Sequence, residues 1–163
     1  MSSEKFSVAV CMGSDSDWPV MRAATEILIE LGITNKEYVL SAHRMPLEMA
    51  AFAQNARDNG FNVIIAGAGG AAHLPGMMAA LTTLPVIGVP VSATALDGMD
   101  SLLSIVQMPA GIPVATVAID NSKNAGLLAA RILAVGDPGL AAHLDRYARE
   151  LNTQAADKQS NLP

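Results

Sequence analysis

The sequence is short of charge. Only 15% of its 163 residues are Asp, Glu, Lys or Arg, and 51% are hydrophobic; an ordinary soluble domain carries about a quarter charged residues. A chain of this length makes one domain with a substantial core, and a small domain has much surface to cover. So few charges imply that further copies of the chain cover part of the apolar surface, and a homo-oligomer is expected. The ten basic residues are scattered without any run of Lys or Arg, and the net charge is −5. This speaks against nucleic acid or an anionic membrane as partner. It leaves room for a small anion, which needs only one or two cations and some backbone donors.

Other absences narrow the chemistry. The single cysteine, Cys11, lies in the first apolar run; it allows neither an intramolecular disulfide nor a thiolate metal cluster, and reads as a small buried residue. Aromatic residues are 4% of the chain, with one Trp and two Tyr, so little is available to stack on a flavin ring. The three histidines, His43, His73 and His143, lack HExxH-type spacing, and no metal site is expected. His143, in "AAHLDRY", reads as a helix-surface residue. No Walker loop, GxGxxG fingerprint or GxSxG elbow occurs, and the loops described below hold no lysine for a Schiff base. No apolar run is long enough to span a bilayer and no leader-like N-terminal pattern is present, so a cytoplasmic protein is expected.

What the chain does have is an alternation of strand and helix. Strands are expected over residues 6–12, 37–40, 62–66, 84–91 and 112–119, as apolar or β-branched runs bounded by Gly, Pro and Asp. Between them, Val20, Ala24, Ile27, Leu28 and Leu31 recur at helical spacing, with Asp15, Ser16 or Asp17 as caps and Pro19 in the first turn. A second helix begins at Pro46, with Leu47, Ala50, Ala51 and Ala53 inward, and ends near residues 59–60. A third runs to Leu81, a fourth is capped by Asp100, a fifth covers residues 121–135 and a last one residues 140–151. One α/β domain is expected over residues 1–163, with a core at about 6–135, a C-terminal helix at 137–152 and a polar, frayed tail at 153–163. Five such alternations predict a parallel sheet between two helical layers, a three-layer αβα sandwich of Rossmann or flavodoxin-like type.

In such a sheet all strand-to-helix loops share one edge, where ligands bind at the point of strand-order reversal. The loops after the first three strands, "GSDSD", "SAHR" and "GAGGAAHLPG", meet there if the strand order begins 2-1-3. In the first, Ser14 and Ser16 offer hydroxyls at a helix start, and Asp17 can accept from ribose hydroxyls; plain helix capping is the alternative. In the second, Arg44 offers a donor fork to phosphate or carboxylate and His43 a proton near neutral pH, or else the two form a polar turn. In the third, glycines and alanines allow close approach to a ligand or tight packing, and His73 alone is ambiguous.

Taken together and in this order, "MGSDSD", "SAHRMP" and "GAGGAAHLPGM", followed by "GVPV", "DSLLSIVQMP" and "GIPVATVAI", resemble the signatures of the bacterial class I N5-carboxyaminoimidazole ribonucleotide mutases. This family of purine (IMP) biosynthesis is also described as the phosphoribosylaminoimidazole carboxylase catalytic subunit. The resemblance runs from about residue 8 to residue 133. It implies a flavodoxin-like fold, a homo-octamer and a carboxylate moved from the exocyclic nitrogen of the ribonucleotide to ring carbon 4, without metal, biotin or ATP. It also implies that Ser14, Asp17 and Arg44 bind the ribonucleotide, that His43 is the acid–base group, and that Ala68, Gly69, Gly70, Ala71, His73 and Leu74 line the substrate. Ser16, Ser41 and Ala42, within the same loops, are counted with the binding set. Met45 stands where the family's common form has threonine, which puts the cap of the following helix in question, and Asp15 adds a negative charge beside the anion site. The form "GGAAHLPG" favours the mutase over direct carboxylation of aminoimidazole ribonucleotide by free CO2. A ligand-binding module without catalysis is the reading from another class.

Overall fold

Successive side chains of a strand point to opposite faces of its sheet, and the first strand shows both faces buried. Along β1 (Ser7–Met12), Val8, Val10 and Met12 enter one apolar cluster while Ala9 and Cys11 enter another. β3 (Val63–Gly69) and β4 (Val86–Val91) divide in the same way. The first cluster is closed by α1 (Trp18–Glu30) and α5 (Ser122–Ala134), with α6 (Pro138–Asp157) against α5. The second is closed by α2 (Pro46–Asn55), α3 (Leu74–Ala79) and α4 (Met99–Val106). With β2 (Thr34–Val39) and β5 (Ala115–Thr116), the sheet has five strands in the order β2-β1-β3-β4-β5, all parallel. This is the flavodoxin-like order. The computed structural model describes residues 7–162, so Phe6, expected to open the first strand, lies outside the described residues.

Several elements differ from the sequence expectation, each for a physical reason. β2 starts at Thr34 rather than residue 37, because its backbone pairs with β1 from Ser7 onward although most of its side chains are exposed. β3 runs three residues further than expected, so Gly67, Ala68 and Gly69 are strand and pair with β4. Gly67 leaves room for buried Met21: a Cβ would lie 2.2 Å from its sulfur, so the Met21 side chain would have to move. The expected fifth strand shrinks to Ala115–Thr116. It is an edge with one neighbour, Pro113 has no N–H to pair, and β4 receives only isolated further bonds from Val117 and Asp120.

The helices show similar corrections. Asp17, one of the expected caps, holds the N-cap position of α1 but makes no side-chain cap bond there; Ser14 caps the 3-10 turn (Asp15–Asp17) that precedes the helix. In α2 the buried residues are Met49 and Ala53; Leu47 is 80% exposed and Ala51 is exposed as well. Alanines carry little directional signal, and packing under Phe61 chose the face. α2 also ends at Asn55 and α3 at Ala79, earlier than expected. Met45 caps α2 without a side-chain hydrogen bond. Gly98, in a left-handed conformation, is the N-cap of α4, and Asp100 lies inside its first turn. α6 begins at Pro138, capped by Asp137, and continues to Asp157, with a 3-10 turn to Asn161 where a frayed tail was expected.

The tightest helix contact is α1 on α5 at Gly126. A Cβ at that position would sit 2.4 Å from Ile27 Cγ2 and 3.0 Å from the carbonyl oxygen of Ala24. Alanine is the better helix former by about 0.8–1 kcal/mol, but overpacking a core costs about 1–3 kcal/mol. The Ala24 backbone cannot yield cheaply, so the clash wins. Gly126→Ala is expected to lower the thermal unfolding midpoint by about 2–4 °C for each net kcal/mol, measured at fixed protein concentration; a raised midpoint would mean that the helices can separate freely.

Candidate active site

β1, β2 and β3 end side by side, and their loops enclose a cavity of about 390 Å³ at the carboxyl edge of the sheet. A larger hollow of about 970 Å³ lies beyond β2, lined by Lys36, Tyr38 and Phe52 among others, but it holds neither a histidine nor an arginine. The smaller cavity is therefore the candidate.

The first wall is the turn after β1. The Gly13 N–H donates to the Gly67 carbonyl (3.2 Å), holding the turn against β3. Ser14 and Asp17 then cap each other: the Ser14 oxygen accepts from the Ser16 N–H (3.3 Å), and Asp17 Oδ2 accepts from the Ser14 N–H (3.1 Å). Ser14, Ser16 and Asp17 all line the cavity. Capping and ligand approach are thus compatible in this loop, since one carboxylate oxygen of Asp17 takes no part in the cap. Asp17 is only 5% exposed. Its burial pushes the carboxyl above the usual carboxylate range, opposed by backbone donors at Ser14 and Gly13 and by the Arg44 guanidinium, and reinforced by Asp15. Asp15 itself is exposed and accepts from the Ser14 hydroxyl (3.1 Å).

The second wall is the loop after β2. Ser41 is buried, and its hydroxyl oxygen accepts from both the backbone N–H (3.3 Å) and Nε–H (3.2 Å) of Arg44. Arg44 Nη2 also donates to the Gly13 carbonyl (3.3 Å), bridging the first and second loops. Ser41 thus acts as a brace for the guanidinium. Ala42 and His43 complete this wall.

The third wall comes from the end of β3 and the turn into α3. Ala68, Gly69, Ala71, His73 and Leu74 line the cavity. Gly70 is not among the lining residues; it makes the turn, at φ +63°. The N–H groups of Ala72 and His73 donate back to the carbonyls of Gly70 and Ala71 (2.9 and 2.8 Å). This tight turn carries His73 to His43: His43 Nε2 and His73 Nδ1 are 2.8 Å apart, with the rings nearly perpendicular at 88°. The contact holds one hydrogen, so one ring donates and the other accepts. His143 lies in the second turn of α6, outside the cavity lining, and is exposed.

A fourth wall was missed in the sequence. Ala93 and Thr94, from the loop between β4 and α4, also line the cavity. The available signal was positional, since "SATALDGMD" follows β4 and every such loop leaves the same edge. Among the described residues, no group of three or more His, Cys, Asp or Glu is arranged to hold a metal ion, and no helix is long and apolar enough to cross a membrane.

Asp17→Asn keeps an acceptor for the Ser14 N–H and removes the buried charge. A carboxyl raised in the folded state destabilises the fold as it ionises, so its contribution is fully favourable below the unfolded carboxylate range and is lost as pH rises through the folded value. The variant is therefore expected to unfold at a higher temperature than the parent at neutral pH, with the gain vanishing in acid. A variant less stable at neutral pH would show that Arg44 and the backbone donors outweigh burial.

A family model described as AIR carboxylase matches residues 7–154. The chain is 56% identical over 162 residues to the N5-carboxyaminoimidazole ribonucleotide mutase of Pyrococcus horikoshii, covering 99% of this chain and 92% of that protein. It is 55% identical over 161 residues to the protein of the same description in Mycobacterium tuberculosis, with the same coverage. The crystal structure of Treponema denticola PurE superposes with a TM-score of 0.87 over 96% of this chain and 98% of that one, at 27% identity. Matched over nearly its whole length in sequence, and carrying the loop geometry described above, the chain belongs to the AIR carboxylase family.

Proposed function

We propose that the protein is an isomerase of purine biosynthesis that moves the carboxylate of N5-carboxyaminoimidazole ribonucleotide from the exocyclic nitrogen to ring carbon 4. Relatives of more than half identity along the chain carry that activity in their names. The observation that carries the reading within this molecule is the hydrogen bond between His43 and His73 in a cavity that also holds Arg44 and Asp17.

The reaction asks for one proton in and one proton out. As the N–C bond of the carbamate breaks, its electrons pass to the exocyclic nitrogen, which takes a proton, and CO2 is released. Ring carbon 4, made nucleophilic by the amine, attacks CO2 and forms the new C–C bond. The proton on that carbon is then removed and the ring regains aromaticity. A single group that gives and then takes the proton closes the cycle, and His43 has that role. His73 orients the His43 ring and is its hydrogen partner until a substrate nitrogen takes that place. Arg44, preset by Ser41 and Gly13, holds an anionic group of the ribonucleotide. Asp17, Ser14 and Ser16 take the ribose and phosphate side, and the small residues from Ala68 to Leu74 leave space for CO2 while excluding water. Asp17 costs stability where it stands, an arrangement common to binding sites.

The same chain forms a homo-octamer in this reading. Its support is the apolar surface left on the single chain: Leu96, Met99, Leu103 and Val106 around α4, and Leu47 on α2, are all about half exposed or more. Direct carboxylation of aminoimidazole ribonucleotide is not favoured, because relatives matched over nearly their whole length are named mutases.

His43→Asn is expected to lower kcat about 10²–10⁴-fold, the usual worth of a positioned acid–base group, while ribonucleotide affinity is largely kept; near-parental turnover would remove His43 from the role. Arg44→Ala is expected to act mainly on KM. The mutase itself is tested by supplying the N-carboxylated ribonucleotide without bicarbonate. Formation of the carbon-4 carboxylate supports the reading, and a strict requirement for bicarbonate with the uncarboxylated ribonucleotide would replace it by the carboxylase.

A further inference from the structure

The loop from residue 92 to residue 98 supplies the cavity wall made by Ala93 and Thr94, and it stands against the glycines of the third loop. A Cβ on Gly69 would lie 2.5 Å from the Ala93 methyl, and one on Gly70 would lie 3.3 Å from Thr94 Cγ2. The two loops are therefore in contact, and the shape of this side of the cavity follows the course of the 92–98 backbone.

That backbone is held by three sets of bonds. The one hydroxyl hydrogen of buried Ser101 is shared between the carbonyls of Val91 and Gly98 (3.0 and 2.8 Å), joining the two ends of the loop. The Thr94 hydroxyl donates to the Asp100 carboxylate. At the start of the loop, the Asp120 carboxylate receives both the Ser92 N–H (2.8 Å) and the Ser92 hydroxyl. Asp120 reaches across from the segment between β5 and α5, and its own N–H donates to the Pro90 carbonyl (2.9 Å). It sits at φ +57°, in the left-handed region, which most non-glycine residues avoid and which Asp adopts more readily than most.

Ser92 and Asp120 are both exposed, and neither belongs to the apolar core clusters. Exposed polar pairs contribute little to global stability. Their two bonds instead fix the direction in which the chain leaves β4, one residue before Ala93. We infer that Asp120 is a positioning residue for the carboxyl transfer: through Ser92 it holds the Ala93–Thr94 wall against the Gly69–Gly70 turn, so that CO2 released from the exocyclic nitrogen stays in the cavity until carbon 4 attacks it. This rests on the mutase reading above. The bonds broken and formed are those already described; Asp120 changes only the partition of CO2 between recapture and escape.

The test uses the whole protein, the N-carboxylated ribonucleotide with unlabelled carboxylate, and carbon-13 bicarbonate with carbonic anhydrase in the medium. Label in the carbon-4 carboxylate and accumulation of decarboxylated ribonucleotide both report escape. Asp120→Gly removes the carboxylate and accepts the positive φ without strain, so its unfolding midpoint is expected to hold or rise. Its labelled fraction is expected to rise about tenfold over the parent, the scale of losing hydrogen bonds to a charged group. Ser92→Ala and Asp120→Asn, which each keep part of the contact, are expected to give smaller rises, and Ser92→Ala combined with Asp120→Gly no more than Asp120→Gly alone. A merely structural role would move the unfolding midpoint and leave the labelled fraction at the parental level; that result overturns the inference. A parent protein that forms no carbon-4 carboxylate overturns the mutase reading and the inference with it, which separates the two failures.

Discussion

Parallel strands all end at one edge of their sheet, and the site here is a consequence of that single constraint. With β1 between β2 and β3, the turns carrying Ser14, Arg44 and His73 have no other place to go than a common crevice. The approach is close because small residues permit it. Gly67 admits Met21 beneath β3, Gly69 admits Ala93, and the Gly13 N–H reaches the Gly67 carbonyl. Backbone bonds thus join the first two loops to the sheet, and side chains join the loops to one another. Arg44 illustrates this: its guanidinium spans two loops through Ser41 and Gly13 before any ligand is considered.

Scarcity of charge has a second consequence. Several ionisable groups at the carboxyl edge are committed to a partner: Asp17 to the Ser14 N–H, His43 to His73, Asp100 to Thr94, Asp120 to Ser92. A buried carboxylate such as Asp17 lies against the interest of the fold, and burial raises its protonation range accordingly. Cys11 shows the opposite outcome. Buried on both sides within β1, its thiol is pushed far above the ordinary range and is chemically inert. Where a polar group serves the site it stays poised, and where it serves packing it is silenced.

Much of this was legible before any coordinates. Strong, long signals read well: Val20 to Leu31 as one helix, residues 121–135 as the helix that is α5, and the buried runs of β1, β3 and β4. Weak directional signals did not. The inward face expected for α2 holds at Ala53 but fails at Leu47 and Ala51, and the run 112–119 reads as a full strand although an edge carrying Pro113 pairs only at Ala115 and Thr116. The last helix was read too short, because a polar run gives no apolar period to follow, yet α6 continues to Asp157. Within the site, the first three loops announced themselves by His, Arg, Ser, Asp and clustered glycine. The fourth did not, since Ala93 and Thr94 carry no chemistry visible in isolation.

The division between sequence and tertiary structure follows from the range of the forces involved. Local periodicity, caps and the order of motifs are short-range properties, so the amino-acid sequence alone determined the alternation of strand and helix and the three loops rich in reactive groups. Which reactive groups touch is long-range. His43 and His73 lie thirty residues apart, and only parallel pairing in the order β2-β1-β3 brings their rings to 2.8 Å. The same holds for Asp120 and Ser92, twenty-eight residues apart, which meet because the chain after β5 stays beside β4, with the Val117 and Asp120 N–H groups donating to the Gly88 and Pro90 carbonyls. A conformation such as the left-handed Asp120 has only a weak signature in its residue type, Asp being more tolerant of it than most, and the neighbours that hold it there arrive only when the sheet has formed.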